Sequence, residues 1–144
     1  MLESVPIEFI GISDNAITFR DVSVIFDGLK FTTKKGYITD GASIPKWFWS
    51  LGLHPFQGDT LTPAIFHDIF YQTRRYSRFT CDWNFLYLMK KNNVSFLKRW
   101  SYFLAVRLFG WIAYGFHKAG IEERAKQFLK VELIKPLDGS FKPA

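Results

Sequence analysis

Within the apolar stretch Ala64-Ile65-Phe66-His67-Asp68-Ile69-Phe70-Tyr71, three side chains can hold or move a proton. Polar groups there are costly to bury alone, so they either satisfy one another in a network or line a cleft. His67 and Tyr71 are four apart and share one helix face, whereas Asp68 projects about 100° round from His67, toward the preceding loop. In the following helix Asp82 is the only carboxylate, and it precedes Phe85 and Met89, whose pattern is core-directed. If the two helices pair antiparallel, Asp82 can accept the imidazole N–H of His67. The other ring nitrogen is then available as a base toward water. A buried His–Asp bond that merely fixes packing accounts for the same residues without catalysis.

A second polar group is Asp40-Gly41-Ala42-Ser43-Ile44-Pro45, followed by Trp47, Phe48 and Trp49. Asp40 and Ser43 are candidates for an entry loop beside the His67 site. Turn chemistry explains them as well: Asp40 can bond the backbone two residues on, and Ser43 can cap a short helix that begins at Ile44-Pro45. Cys81 has no evident histidine partner and reads as a buried free thiol. His117, near the end of a later helix, is accounted for by the helix dipole.

Thr39-Asp40-Gly41-Ala42-Ser43-Ile44-Pro45 with Trp47 and Trp49, His67-Asp68 with Tyr71, Arg78 with Asp82, Phe85 and Met89, and Ala105-Val106-Arg107-Leu108-Phe109-Gly110 together form a distinctive string. Over residues 37–111 it resembles a small family of bacteriophage and prophage proteins classed as a domain of unknown function. That resemblance implies a phage or prophage origin and no particular activity. Separately, His67-Asp68 with Tyr71, followed by the Asp82 helix, is similar to the active-site helices of calcium-dependent secretory phospholipases of the A-two class. The likeness implies His67 as general base, Asp68 as a ligand for Ca2+ or another divalent ion, Asp82 as the carboxylate that orients His67, and Tyr71 as a supporting donor. The chain departs from that family in having a single cysteine and no glycine-rich calcium loop before the first helix. His-Asp adjacency is also similar to metal-dependent phosphohydrolases, for which His54 is poorly spaced.

The elements that must position these residues are an N-terminal β region and a C-terminal helical one. Residues 7–10, 16–19, 22–26 and 29–33 are rich in Ile, Val, Phe and Thr and are cut by Ser13-Asp14-Asn15, Asp27-Gly28 and Lys35-Gly36. They predict one small antiparallel sheet whose face is covered by the helices that follow. Thr62-Pro63 predicts a helix start, with the helix running from 63 to about 73. Ser77 or Thr80 caps a second helix that ends at Asn92-Asn93, and Ser95 caps a third that runs to about 118. Aromatic residues all round that third helix predict burial on most sides, with Gly110 and Gly115 permitting close packing. After Gly120, residues 121–133 read as a short amphipathic helix or helix plus strand. The expected class is α+β in a single domain over 1–144: 1–45 mainly β, 61–133 mainly α in three to four helices, and 134–144 a mobile tail.

With 144 residues, 48% hydrophobic and 19% aromatic, the chain has enough apolar side chain for a core, which excludes overall disorder. One cysteine excludes an internal disulfide framework and a multi-cysteine zinc site. No secretory signal is visible at the N-terminus, which makes the host bacterial cytoplasm or a virion the expected location. The apolar segment 95–116 is long enough to span a bilayer, but Lys98, Arg99 and Arg107 interrupt it and predict an interior or surface-bound helix. A net charge of +6 is compatible with nucleic acid, an anionic membrane or an acidic partner. Arg74, Arg75, Arg78, Lys90, Lys91, Lys98, Arg99 and Arg107, interleaved with Tyr76, Trp83 and Trp100, suggest a membrane-surface patch and, less readily, a nucleic-acid patch. No groove-reading motif accompanies them, and a solvated basic face is the simpler account. Two functional readings follow. The leading one is a small hydrolase that uses His67, Asp82 and Tyr71 to activate water against an ester or cell-envelope substrate. The other is a non-enzymatic virion or tail-associated structural or host-interaction protein, partnered by phage structural proteins or a host envelope component.

Overall fold

The computed structural model describes residues 7–9, 16–39, 50–54, 58–115 and 120–134. Asp40, Ser43, the aromatic run after them, the Ser13-Asp14-Asn15 turn, His117 and residues 135–144 lie outside that set. The chain is α+β, with β1 (Ile7–Phe9), β2 (Ala16–Thr18), β3 (Val22–Phe26), β4 (Leu29–Thr33) and β5 (Ile38–Thr39) preceding the helices. The helices are α1 (Gly58–Gln72), α2 (Arg78–Lys91), α3 (Phe96–Gly115) and α4 (Ile121–Phe128), and β6 (Leu129–Leu133) follows them.

The strands form two small antiparallel sheets in place of the expected one, in the orders β1-β2-β5 and β3-β4-β6. At Asp27-Gly28 both residues have positive φ, +53° and +69°. This is the two-residue turn that the right-handed twist of a hairpin favours, and it pairs Phe26 with Leu29 and Val22 with Thr33. The split between the sheets follows Thr18, whose hydroxyl accepts from Tyr37 N and donates to Lys34 O. It thereby joins β2 to the turn that leaves β4. The third strand of the second sheet, β6, returns after the four described helices and pairs with β4. A strand so distant in sequence leaves no local signal beyond a helix-plus-strand ambiguity.

Helix α1 is the centre of the molecule. Every residue from Thr60 to Tyr71 is buried, because one side packs on Val24 and Phe31 of the sheet and the other on α2 and α3. Phe31 meets Phe70 edge-on at 5.2 Å, and Ala64 joins Phe85, Met89, Tyr102 and Val106 in a second core. A helix covered on two sides has no polar face, so its polar residues have to be paired inside.

The helix begins at Gly58, a turn before the expected start, and Pro63 lies inside it. Proline has no N–H to give to the carbonyl four residues back. That carbonyl belongs to Asp59, and the side chain of Asn92, the C-cap residue of α2, donates Nδ2–H to it. The Asp59 carboxylate meanwhile accepts from Lys98 Nζ at 2.7 Å. A partner from another helix thus replaces the missing bond and lets the helix run through the proline, which the local sequence pattern does not reveal. The third helix also differs from expectation. One side is buried in the second core, but Leu97, Leu104, Leu108, Trp111 and Ile112 are exposed. No described helix is long and apolar enough to cross a membrane.

Asn92→Ala is expected to cost about 1–3 kcal/mol by orphaning the Asp59 carbonyl. Adding Pro63→Ala restores a backbone donor and should recover about 1 kcal/mol of that loss in urea unfolding. Strictly additive effects of the two substitutions would contradict the assignment.

Candidate functional site

Helices α1 and α2 are joined by a short polar turn in which Arg74 takes positive φ. Ser77 caps α2 by accepting from Thr80 N. This reversal brings Asp82, in the first turns of α2, opposite His67 and Tyr71, one turn apart on α1. His67 Nε2 lies 2.8 Å from Asp82 Oδ1, and the Tyr71 hydroxyl donates to the same oxygen. The other carboxylate oxygen, Oδ2, accepts from Arg107 Nη1 of α3 at 2.7 Å. Arg78 Nε stands 3.9 Å from Oδ2, and its Nη2 donates to the Arg107 carbonyl. One carboxylate therefore gathers groups from three helices.

The site is closed. Asp82 is 0% and His67 1% exposed, and the imidazole is held between the rings of Tyr71 at 4.2 Å and Phe85 at 4.8 Å. Burial alone would raise the Asp82 pKa. The bonds from His67, Tyr71 and Arg107 outweigh it and hold the carboxyl below its usual range. Burial, then the bond to Asp82, pushes the Tyr71 phenol up, so it stays protonated and donates. Because an ionised carboxylate only accepts, the proton that His67 shows Asp82 is on Nε2, and in the neutral ring Nδ1 is the basic nitrogen. Cys81, beside Asp82 and buried, has its thiol pushed up to about 12 by burial and then by that carboxylate, so it is not a thiolate near neutral pH.

Asp68 points another way round α1. It is 7% exposed, and its Oδ1 accepts from Gln72 Nε2 at 3.2 Å. A calcium ion takes six to eight oxygens. Among the described residues no three His, Cys, Asp or Glu side chains are grouped to hold a metal. Asp40 and Ser43 lie outside the described residues. His54 is near α3, where its carbonyl accepts from the Tyr102 hydroxyl at 2.7 Å.

The basic residues do not form one uniform side. Arg74 and Arg75 lie over the rings of Tyr114 and Phe31, Arg78 and Arg107 face Asp82, and Lys98 pairs with Asp59. The part played by Arg107 was not evident from sequence, where it read as an interruption of an apolar segment. The available signal was arithmetic: residues 78–115 hold six cations and one carboxylate, so a buried Asp82 had guanidinium groups to draw on. Gly110 is explained by the same cluster. A Cβ there would lie 2.7 Å from the Tyr71 hydroxyl, so only glycine lets α3 approach this closely.

Residues 15–106 match the family described as protein of unknown function (DUF1353). The chain belongs to DUF1353. The matched span holds β2 to β5, and it contains His67, Tyr71, Arg78 and Asp82, with Arg107 one residue beyond its end. This DUF1353 chain is also 37% identical over 84 residues to the uncharacterized protein y4jT of Sinorhizobium fredii (strain NBRC 101917 / NGR234). That alignment takes in 58% of this chain and 25% of the relative, so it spans about a quarter of that protein's length. No solved structure matches the chain.

The lowered Asp82 pKa sets the sign of an acid effect. The stabilisation is fully present above the unfolded carboxyl value of about 3.9 and is lost as pH falls from there through the lower folded value. Asp82→Asn is expected to cost about 3 kcal/mol near neutral pH. The gap to wild type should narrow in urea melts below about pH 4. A gap independent of pH would contradict the geometry.

Proposed function

We propose that this DUF1353 chain is a non-enzymatic interaction domain, in which His67, Tyr71, Asp82 and Arg107 brace three helices. The observation that carries this reading is the closure of the cluster: His67 is 1% exposed and its carboxylate partner is fully buried and saturated with donors. A catalytic base has to meet water or substrate, and binding sites are concave and open. The relative in which the aligned stretch is a quarter of a longer chain supports a domain that works attached to other parts. The likeness of residues 37–111 to phage and prophage proteins supports a place in a virion or tail assembly, or in the infected host's cytoplasm. Phage structural proteins or a host envelope component are then its partners.

One observation favours a second reading. Asp82 fixes the proton of His67 on Nε2 and leaves Nδ1 basic, which is the arrangement a hydrolase needs to draw a proton from water. In that reading His67 is the base, Asp82 orients it, and Tyr71 shares the orienting carboxylate. The substrate is an ester in a phospholipid or another envelope component, with Asp40 and Ser43 on the entry loop and Asp68 as the residue offered to a divalent ion.

Ester and phospholipid hydrolysis by wild type and His67→Asn, with and without calcium, separates the two. The interaction reading predicts no turnover above buffer, and a melting temperature whose response to calcium is the same in wild type and Asp68→Asn. Turnover abolished by His67→Asn would overturn it in favour of the hydrolase.

A further inference from the structure

Nine of the fourteen exposed large hydrophobic side chains among the described residues belong to α2 and α3, so exposure is concentrated on one helical pair. On α2, Phe79, Trp83 and Tyr87 recur every four residues and share a face. On α3, Leu97, Leu104, Leu108 and Trp111 are spaced by seven, four and three, which draws one stripe along that helix. Contacts between the helices join the α2 stripe to α3 through residues beside its leucine stripe. Phe79 stacks on Trp83, Trp83 meets Phe103 edge-on at 6.0 Å, Phe103 meets Trp100 at 5.5 Å, and the Arg107 guanidinium lies over Phe79 at 5.4 Å. Isolated exposed hydrophobics are ordinary, but a contiguous band marks a surface that something covers.

Charge selects the occupant. Residues 78–115 contain Arg78, Lys90, Lys91, Lys98, Arg99 and Arg107 against Asp82 alone, and Asp82 is fully buried. The outer surface of the pair therefore carries cations and no carboxylate of its own. Lys98 is matched by Asp59 of α1. Lys90 and Arg99 line a groove together with Trp83, Tyr87, Phe96 and Trp100, so cations and aromatics are interleaved there. A second copy of the same face would set cations against cations. A nucleic acid would satisfy the cations but offer nothing to the leucine stripe. An interfacial helix pair combines these features: a leucine stripe, Trp and Tyr at its borders, and Lys and Arg without acidic neighbours.

We propose that α2 and α3 dock flat on an anionic lipid bilayer. The Leu97-Leu104-Leu108-Trp111 stripe enters the boundary between headgroups and acyl chains, and Lys90 and Arg99 meet lipid phosphates. The inference rests on the reading of this chain as an interaction domain and names what it binds. The Asp82 cluster has a part in it, since Arg107 joins Asp82 to the ring of Phe79 and so couples the brace to the docking face.

The test is flotation of the full chain with vesicles of phosphatidylcholine alone and of phosphatidylcholine mixed with phosphatidylglycerol. Wild type should float with the anionic vesicles, less so as salt rises, and hardly at all with the neutral ones. Leu104→Gln/Leu108→Gln and Lys90→Gln/Arg99→Gln should each lower partitioning by roughly tenfold or more while the melting temperature stays near that of wild type. Absence of flotation by wild type would overturn the proposal, as would flotation of the leucine variant equal to wild type. A wild-type dimer in sedimentation equilibrium that the leucine substitutions dissociate would also overturn it, by assigning the face to a second copy. Flotation reads the occupant and His67-dependent turnover reads the interaction-domain assignment, so either fails without the other.

Discussion

A carboxylate taken out of water must be compensated on both oxygens, and the helical half of this protein is arranged around one that is. Asp82 Oδ1 receives His67 and Tyr71 from α1, and Oδ2 receives Arg107 from α3, with Arg78 of its own helix nearby. Removing any one donor leaves the others facing a buried charge that is less well matched. Buried ion pairs add little net stability compared with a well-packed apolar core, but removing one partner leaves an uncompensated charge and is strongly destabilising. The donors to Asp82 from α1 and α3 meet it in one relative placement of α1, α2 and α3. Gly110 records that placement in the backbone, since the Tyr71 hydroxyl occupies the space a side chain would need.

The second constraint is that α1 is covered on two sides, by the β3-β4-β6 sheet and by α2 with α3. Its buried polar residues follow from that position. His67 and Tyr71 are satisfied through Asp82, Thr73 just past the helix end donates its hydroxyl to the Ile69 carbonyl, and the carbonyl orphaned by Pro63 is served by Asn92. Each of these partners lies within α1 or on the helix next to it. The buried centre and the exposed α2–α3 face are thus opposite consequences of one packing scheme: α1 uses all its sides for the core, while α2 and α3 each use one.

Much of this was legible in the sequence. The strand runs, the Asp27-Gly28 hairpin, the four-residue spacing of His67 and Tyr71 and the lone carboxylate of the next helix all describe local facts, and local facts survive folding. The α+β class and the approach of Asp82 to His67 follow from them. What was not legible depends on residues distant in the chain. The start of α1 moved because Asn92 replaces the bond that Pro63 cannot make. The third strand of the second sheet, β6, pairs with β4 from beyond the helices. The solvent-facing side of α3 was hidden because it is as apolar as the buried one, so composition could not tell the two apart. Arg107 read as an obstacle in an apolar segment until the fold supplied the carboxylate it serves.

The brace proposed for His67 and Asp82 requires that the pair be sealed from water. Solvent exchange of the His67 Nε2 proton, followed by nitrogen-edited NMR of the ring, tests that claim most directly. A sealed brace requires a proton on Nε2 whose exchange, corrected for the intrinsic imidazole rate, gives the same opening free energy as the most protected backbone amides of α1, because both are released only by global unfolding. A ring proton that exchanges freely while those amides remain protected would contradict it, and would mean that water reaches the imidazole in the folded protein.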